Sequence, residues 1–79
     1  MNKIEVLEKL NIIFKDVLEV DDLTLSESDT SDTVDGWDSL AHILIISEVE
    51  SEFSIKIPMS DVQKMKTVSN LVSYVMSQQ

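Results

Sequence analysis

The residues best placed to do chemistry lie in one short segment, residues 35–40, which has the sequence DGWDSL. Gly36 is the only glycine in the chain, and its backbone freedom allows a sharp turn just ahead of Asp38 and Ser39. A helix is predicted to begin at one of these two residues, where the first turn carries partial positive charge and free amides. A serine hydroxyl in this position is exposed, open to modification and suited to hold a phosphodiester. An ordinary helix cap is the alternative.

The elements that must position this segment are helical. Apolar residues recur at steps of three and four from Lys3 to Leu18, which predicts a first helix with a wide buried stripe. Three more helices are predicted, with these bounds: Asp38 or Ser39 through about Phe53, Ser60 through Met65 with Ser60 as the cap, and a last one capped by Thr67 and ending near Ser77. One glycine and one proline argue against an all-β fold. We therefore predict one all-α domain, residues 1–79.

At about 100° per residue, the second helix separates into two faces. The predicted buried face consists of Ile43, Ile46, Val49 and Phe53, with Ile45 on its edge. The opposite face consists of Leu40, Leu44, Ser47, Glu48 and Ser51. Leu40 and Leu44 form a small apolar spot beside Ser39, although Leu44 could instead be partly buried against the preceding loop. His42, on the flank of the buried face, is predicted to be packed or hydrogen-bonded and not catalytic.

A polar connector of unusual length, residues 19–37, joins the first two helices. Its apolar residues are spaced like anchors, and they are Leu23, Leu25, Val34 and Trp37. We therefore predict a loop pinned to the core, with order at Leu23 and Leu25. Asp29, Asp32 and Asp35 suggest calcium, but they lack the glycine and terminal glutamate of a calcium-binding loop and are interpreted as a solvated acidic face.

Composition restricts the possible functions. Fifteen acidic residues against six lysines and no arginine give a net charge of -9, which disfavours nucleic acid and attracts basic partners. There is no cysteine, hence no disulfide and no thiol nucleophile. No signal-peptide pattern or run of about 18 apolar residues occurs, so we expect a cytoplasmic protein without a membrane span. Stability must come from apolar burial, to which Met59, Met65 and Met76 are expected to contribute as adaptable core residues.

The chain resembles the acyl carrier protein family in several places at once. Residues 36–40 (GWDSL) are followed by an apolar helix that ends at 52–53 (EF) and then by 55–58 (IKIP). The family is marked by an Asp-Ser-Leu triplet at the start of its second helix, which residues 38–40 match in full. The spacing from the phenylalanine to the Ile-Pro pair and the Thr-Val pair at 67–68 also agree. The resemblance covers essentially the whole chain.

This resemblance implies a four-helix acyl-carrier-like bundle with three longer helices, a short third helix and a long loop between helices 1 and 2. It also implies a 4'-phosphopantetheine arm, transferred covalently from coenzyme A to Ser39 by a phosphopantetheinyl transferase with magnesium. The thiol of that arm would hold an acyl group as a thioester. Asp38 would act at the helix start or in the transferase complex, with Leu40 beside the attachment point. The chain itself would be a monomeric carrier and not an enzyme.

The resemblance further places the docking face for acyl-loading and acyl-processing enzymes on the second helix. Leu40 would pack against the partner, while Glu48 and Asp35 would face its basic patches. Leu44 stands where many carriers of fatty acid synthesis have an acid, and two serines farther along the same face are uncharged. This departure indicates a more apolar docking surface. The pathway stays open between fatty acid biosynthesis, polyketide or other secondary metabolite biosynthesis, and glycan modification.

Three other functions compete with an acyl carrier. An aminoacyl or peptidyl carrier, such as a D-alanyl carrier, would use the same serine and arm. A cofactor-free acidic helical interaction module would explain the charge and the helices but not the placement of Asp-Ser-Leu. A serine hydrolase is suggested by the likeness of residues 36–40 to a Gly-Asp-Ser-Leu esterase motif. It would need a base, an oxyanion hole and a cleft, and His42, three residues from Ser39, is the only histidine.

Overall fold

A computed structural model describes all residues, 1–79, and contains four helices: α1 (Lys3–Leu18), α2 (Ser39–Phe53), α3 (Met59–Val62) and α4 (Val68–Ser77). The predictions of an all-α fold and of a long loop between the first two helices are confirmed. Helix α1 packs against both α2 and α4, so the core lies between these three longer helices. No helix combines the length and the apolar character needed to cross a membrane.

Local hydrogen bonds fix where the two longest helices begin and end. The side chain of Asn2 accepts from the Glu5 amide at 2.9 Å, and the Glu5 carboxylate accepts from the Asn2 amide at 3.1 Å, which forms a capping box before α1. At the other end, Glu19 has a left-handed φ of 56°. Ser54 closes α2 in the same way, with a φ of 55°. Their amides return to the carbonyls of the last helical turn and so stop each helix there.

The buried face of α2 differs from the predicted one. Ile45 is fully buried, whereas Ile43 is 48% exposed, so the prediction was wrong for both residues. The buried residues of this helix are Ala41, His42, Ile45, Ile46, Val49 and Phe53. Because residues 43–46 are all large and aliphatic, their pattern alone does not fix the phase of the stripe. Ala41 and His42, which also pack inward, rotate the buried face away from Ile43.

Helix α3 is shorter than predicted and has a different cap. It ends at Val62, not at Met65, and Pro58 occupies the cap position with no side-chain hydrogen bond, so the assignment of Ser60 as the cap was wrong. Proline presets the backbone for a helix start. The chain then continues in tight turns. The Lys64 backbone amide donates to the Asp61 carbonyl at 3.0 Å, and the Met65 amide donates to the Val62 carbonyl at 3.2 Å.

The three methionines that were expected in the core differ in burial. Met65 is buried as predicted, but Met59 is 65% exposed and Met76 is 37% exposed, so the prediction that they fill the core was wrong for these two. Met59 is the first residue of a four-residue helix and lies at its outer end. Met76 falls in the last turn of α4, where no further element covers it. The predicted cap of α4 is confirmed, since the Thr67 hydroxyl accepts from the Asn70 amide at 3.0 Å.

The long connector is held to the bundle at several points. Leu25, Val34 and Trp37 are buried and Leu23 packs against the core, so the predicted anchoring is confirmed. A side chain of α1 supplies a clamp that was not predicted: Asn11 donates to the Leu23 carbonyl at 3.0 Å and accepts from the Leu25 amide at 2.6 Å. Farther along, the connector pairs with the start of α4. The Ser31 amide donates to the Lys66 carbonyl and the Val68 amide to the Asp29 carbonyl, both at 3.0 Å.

Candidate functional site

Ser39 is the first residue of α2 and is exposed. The residue before it, Asp38, caps the helix: its Oδ1 accepts from the Ala41 amide at 2.9 Å, and its carbonyl accepts from the His42 amide at 2.8 Å. The amides of Ser39 and Leu40 donate to no acceptor within the chain. They therefore stay available to an anion beside the Ser39 hydroxyl, at the positive end of the helix dipole.

The turn that delivers Ser39 depends on Gly36. Gly36 has a φ of 88°, in the left-handed region that other residues rarely adopt. The Asp38 amide donates to the Gly36 carbonyl at 2.9 Å, and the Trp37 amide donates to the Val34 carbonyl at 3.2 Å. Space is not the constraint, because a Cβ at this position would lie 3.5 Å from the Leu18 side chain, an ordinary contact. The sequence therefore needs glycine here for its backbone conformation.

Two side chains beneath Ser39 form a buried hydrogen-bonded chain. The Trp37 indole Nε1 donates to Nδ1 of His42 at 3.0 Å, and Nε2 of His42 lies 2.7 Å from the Val62 carbonyl oxygen. Because Nδ1 accepts, the proton of the neutral ring is on Nε2, which donates to Val62. The indole also packs edge-on against Phe14, with ring centroids 4.8 Å apart. The predictions of a packed His42 and an anchoring Trp37 are confirmed.

A cleft of about 340 Å³ lies beside Ser39, between the start of α2 and α3. Its floor is formed by Trp37, His42 and Val62, and all three are buried. Its other lining residues are Ser31, Asp38, Ser39, Ile43, Met59, Gln63 and Lys66. Lys66 is the only cation of the lining and Asp38 the only anion. A serine hydroxyl, free amides and one lysine thus lie around the same depression.

Charge is unevenly distributed about this cleft. Residues 16–55, which include the connector and α2, contain twelve acidic residues and no lysine. Residues 56–66, which include α3, contain three lysines and one acid, Asp61. The cleft has a residue of each stretch on its wall, Asp38 from the acidic one and Lys66 from the basic one. Ser39 therefore lies beside a cleft whose wall has one acidic and one basic residue.

An exposed apolar patch adjoins Ser39. Leu40 is 71% exposed and Leu44 is 49% exposed, so both side chains contribute to the surface. Two residues that were predicted to be buried, Ile43 and Met59, join them at the surface. Glu48 and Asp35, the charged residues predicted for the partner face, are also exposed. Monomeric proteins rarely leave several large apolar side chains exposed together without an interaction to explain them.

Comparison with known proteins identifies the class of domain to which this four-helix bundle belongs. The family model described as a phosphopantetheine attachment site matches residues 8–75. This chain belongs to the acyl carrier protein family.

The relatives that support this assignment match nearly full length. The acyl carrier protein of Thermosynechococcus vestitus is 33% identical over 76 residues, which cover 95% of this chain and 93% of the relative. The acyl carrier protein of Lactobacillus acidophilus is 32% identical over 79 residues, which cover 100% of this chain and 99% of the relative. The solution structure of the holo acyl carrier protein from Geobacter metallireducens superposes with a TM-score of 0.82 at 32% identity, covering 91% of this chain and 83% of that one.

The cofactor and the general function follow from this membership. The chain carries 4'-phosphopantetheine in covalent linkage and holds acyl groups as thioesters on that arm, presenting them to partner enzymes. The residues at the start of α2 fit such a group, because an exposed hydroxyl lies beside two free amides and a cleft with a lysine. A modifying transferase and enzymes that act on the cargo are therefore its partners in general.

Proposed function

We propose that Ser39 is the residue that carries the arm, with Asp38 and Leu40 as its supporting neighbours. The observation that supports this most directly is the exposed Ser39 hydroxyl at a helix start whose two first amides are unpaired. A phosphodiester at this position gains hydrogen-bond donors and a favourable dipole without displacing any existing contact. The single domain over residues 1–79 acts as a carrier and not as an enzyme.

The roles of this chain's own residues follow from the geometry. Ser39 would present its oxygen to the transferase. As that oxygen bonded to the phosphorus next to pantetheine, the pyrophosphate P–O bond of coenzyme A would break, adenosine 3',5'-bisphosphate would leave, and the hydroxyl proton would pass to a base. Asp38 fixes the first turn through Oδ1, while its Oδ2 makes no hydrogen bond within the chain. When attached, the arm supplies the thiol that this cysteine-free chain lacks.

His42 cannot serve Ser39 as a general base, which counts against the hydrolase alternative. Its ring is buried, and both nitrogens are engaged, one by Trp37 and the other by the Val62 carbonyl. A serine nucleophile needs a base within hydrogen-bond reach and a third group to orient that base. The surroundings of Ser39 therefore support attachment of a group and not turnover.

Intact mass spectrometry tests the attachment directly. The purified apo protein, incubated with coenzyme A, magnesium and a broad-specificity transferase, is expected to gain one phosphopantetheinyl group. Peptide mapping should then place the added mass on Ser39. Modification of another residue, or no modification by any transferase, would contradict the proposal. The cofactor-free interaction module is the alternative that a lack of modification would favour.

We further propose that Leu40, Leu44, Glu48 and Asp35 form the docking face for the transferase and for acyl-loading and acyl-processing enzymes with basic patches. The exposure of both leucines beside Ser39 supports this, as does the acidic stretch that contains all four residues. A net charge of -9 also makes copies of the chain repel one another, which supports a monomer. A cytoplasmic location stays a prediction of the sequence.

Leu44→Glu is expected to weaken binding to the chain's own partner enzymes, because it places a charge where the proposed surface is apolar. The expected loss is about tenfold in affinity, or about 1.4 kcal/mol. Titration calorimetry of the holo protein with its loading enzyme measures this. Ser51→Glu, on the same helix and also exposed, serves as the matched charge control. Equal affinity of Leu44→Glu and the wild type would exclude an apolar docking role for Leu44.

The capping role of Asp38 and its electrostatic role at the cleft can be tested separately. Asp38→Ala removes the helix cap and is expected to lower the free energy of unfolding by about 1 kcal/mol. Asp38→Asn keeps a capping oxygen, so its stability should stay close to that of the wild type. We expect slower modification of Ser39 in Asp38→Asn, because the free carboxylate oxygen at the cleft is lost. Urea denaturation and the initial rate of mass gain measure the two effects, and an unchanged rate would restrict Asp38 to its capping role.

A further inference from the structure

The floor of the cleft beside Ser39 is closed by groups that already satisfy one another. Trp37, His42 and Val62 are each at most 5% exposed. Hydrogen bonds of 3.0 and 2.7 Å connect them in series, from the indole through the imidazole to the backbone carbonyl. No buried side-chain polar atom in the protein lacks a partner. The floor is therefore a complete polar network inside an apolar core.

The space behind the floor is filled as well. Phe14 is fully buried and meets the Trp37 indole edge-on at 4.8 Å. An alkyl chain that passed from the cleft into the bundle would have to separate these rings. It would also leave Nδ1 of His42 or the Val62 carbonyl without a partner in a buried environment. Unpaired polar groups are most costly in such surroundings, so the floor opposes entry.

The cleft has a mixed lining. Ser31, Gln63, Lys66 and Asp38 contribute polar groups, and Ile43 and Met59 contribute exposed apolar side chains. Its volume of about 340 Å³ is at the small end for a ligand site, and most sites that take apolar ligands are lined mainly by hydrophobic residues. Here six of the ten lining residues are not hydrophobic, but most of the exposed lining surface is apolar. With its floor closed, a cleft of this size has little room for a long hydrocarbon chain.

We infer that this carrier keeps its cargo outside the helical bundle and that the cargo is a short or polar acyl group, with Trp37 and His42 as the specificity-determining residues. The inference rests on the proposed attachment at Ser39. A long alkyl chain excluded by the floor would be left in water, which disfavours it as a stable load. Aminoacyl groups belong to this short, polar class, which leaves little apolar surface in water.

The test loads the apo protein with acetyl, octanoyl and palmitoyl groups, using the corresponding coenzyme A thioesters and a broad-specificity transferase. Intact mass confirms each loading. The rate of thioester cleavage by hydroxylamine is then measured for each form and divided by the rate for the matching free coenzyme A thioester. If the cargo stays exposed, this ratio should be the same within about twofold for all three chains, because no opening step protects the thioester. The emission maximum of Trp37, the only tryptophan, should not change with chain length.

Two outcomes would overturn the inference. One is protection from hydroxylamine that grows with chain length, together with a shift in Trp37 emission. The other is a Trp37→Leu variant that folds but still leaves palmitoyl as exposed as in the wild type, since an opened floor should admit it. Where Trp37→Leu fails to fold, the wild-type series decides alone. Absence of any added mass is a separate result and contradicts the attachment at Ser39, not the closed floor.

Discussion

Replacing Ser39 by alanine is expected to abolish modification by phosphopantetheinyl transferases completely. The substitution deletes the one hydroxyl group that the structure presents at the start of α2, and no cysteine offers an alternative nucleophile. The fold should be unaffected, because Ser39 is exposed and its side chain makes no hydrogen bond within the chain. Intact mass after incubation with coenzyme A and magnesium should show only the unmodified chain.

Ser47→Ala is the matched control for this experiment. Ser47 is an exposed serine on the same helix, two turns farther along, so its removal repeats the chemical change without touching the helix start. It should be modified at the wild-type rate. Full modification of Ser39→Ala, or its loss in both variants, would show that the arm is attached elsewhere or that the transferase fails for another reason. Far-ultraviolet circular dichroism confirms that both variants are folded.

Trp37→Ala is expected to cost about 3–5 kcal/mol of unfolding free energy, the range for truncating a large buried aromatic residue. A chain of 79 residues has in total roughly 4–12 kcal/mol, so this variant should be marginal or unfolded at room temperature. The loss combines the edge-on contact with Phe14 and the hydrogen bond to His42. Urea denaturation followed by circular dichroism measures it.

One further substitution separates the buried hydrogen bond of Trp37 from its apolar packing, and a second serves as a surface control. Trp37→Phe keeps most of the apolar packing but leaves Nδ1 of His42 unpaired, which should cost about 1–3 kcal/mol. Leu40→Ala, at a neighbouring residue that is 71% exposed, should change stability by no more than about 0.5 kcal/mol. A Trp37→Phe variant as stable as the wild type would show that the buried hydrogen bond contributes nothing. A large loss in Leu40→Ala would contradict the exposed position of that side chain.

The sequence predicted those features of the site that depend on residues close together in the chain. The placement of Ser39 at a helix start could be predicted, because Gly36, the acidic cap and the apolar helix that follows are all contiguous in the chain. The partners of His42 could not be, because one of them is a backbone carbonyl twenty residues away that only the packing of α3 brings into reach. The sequence indicated that His42 is packed, but not that it closes a cleft.

The same distinction explains the errors in the fold. In α2 four consecutive aliphatic residues leave the buried stripe ambiguous, so Ile43 was placed on the buried face and Ile45 only on its edge. The Asn11 clamp on the connector was missed, because a polar residue on an amphipathic helix gives no sign that a loop will fold back onto it. Met59 lies at the surface as well, because α3 is only one turn long and buries few of its side chains. Features that depend on neighbouring residues could be predicted from the sequence, whereas contacts between distant segments could not.

The separation of the lysines at 56–66 from the acids at 16–55 gives the molecule an electric dipole as well as a net charge. In the field of a basic enzyme surface, such a molecule experiences a torque before any contact forms, and it turns its acidic side forward. Because Ser39 lies within the acidic stretch, this rotation turns the proposed docking face and Ser39 toward the partner. Pre-orientation of this kind shortens the search for the productive complex, and added salt removes it.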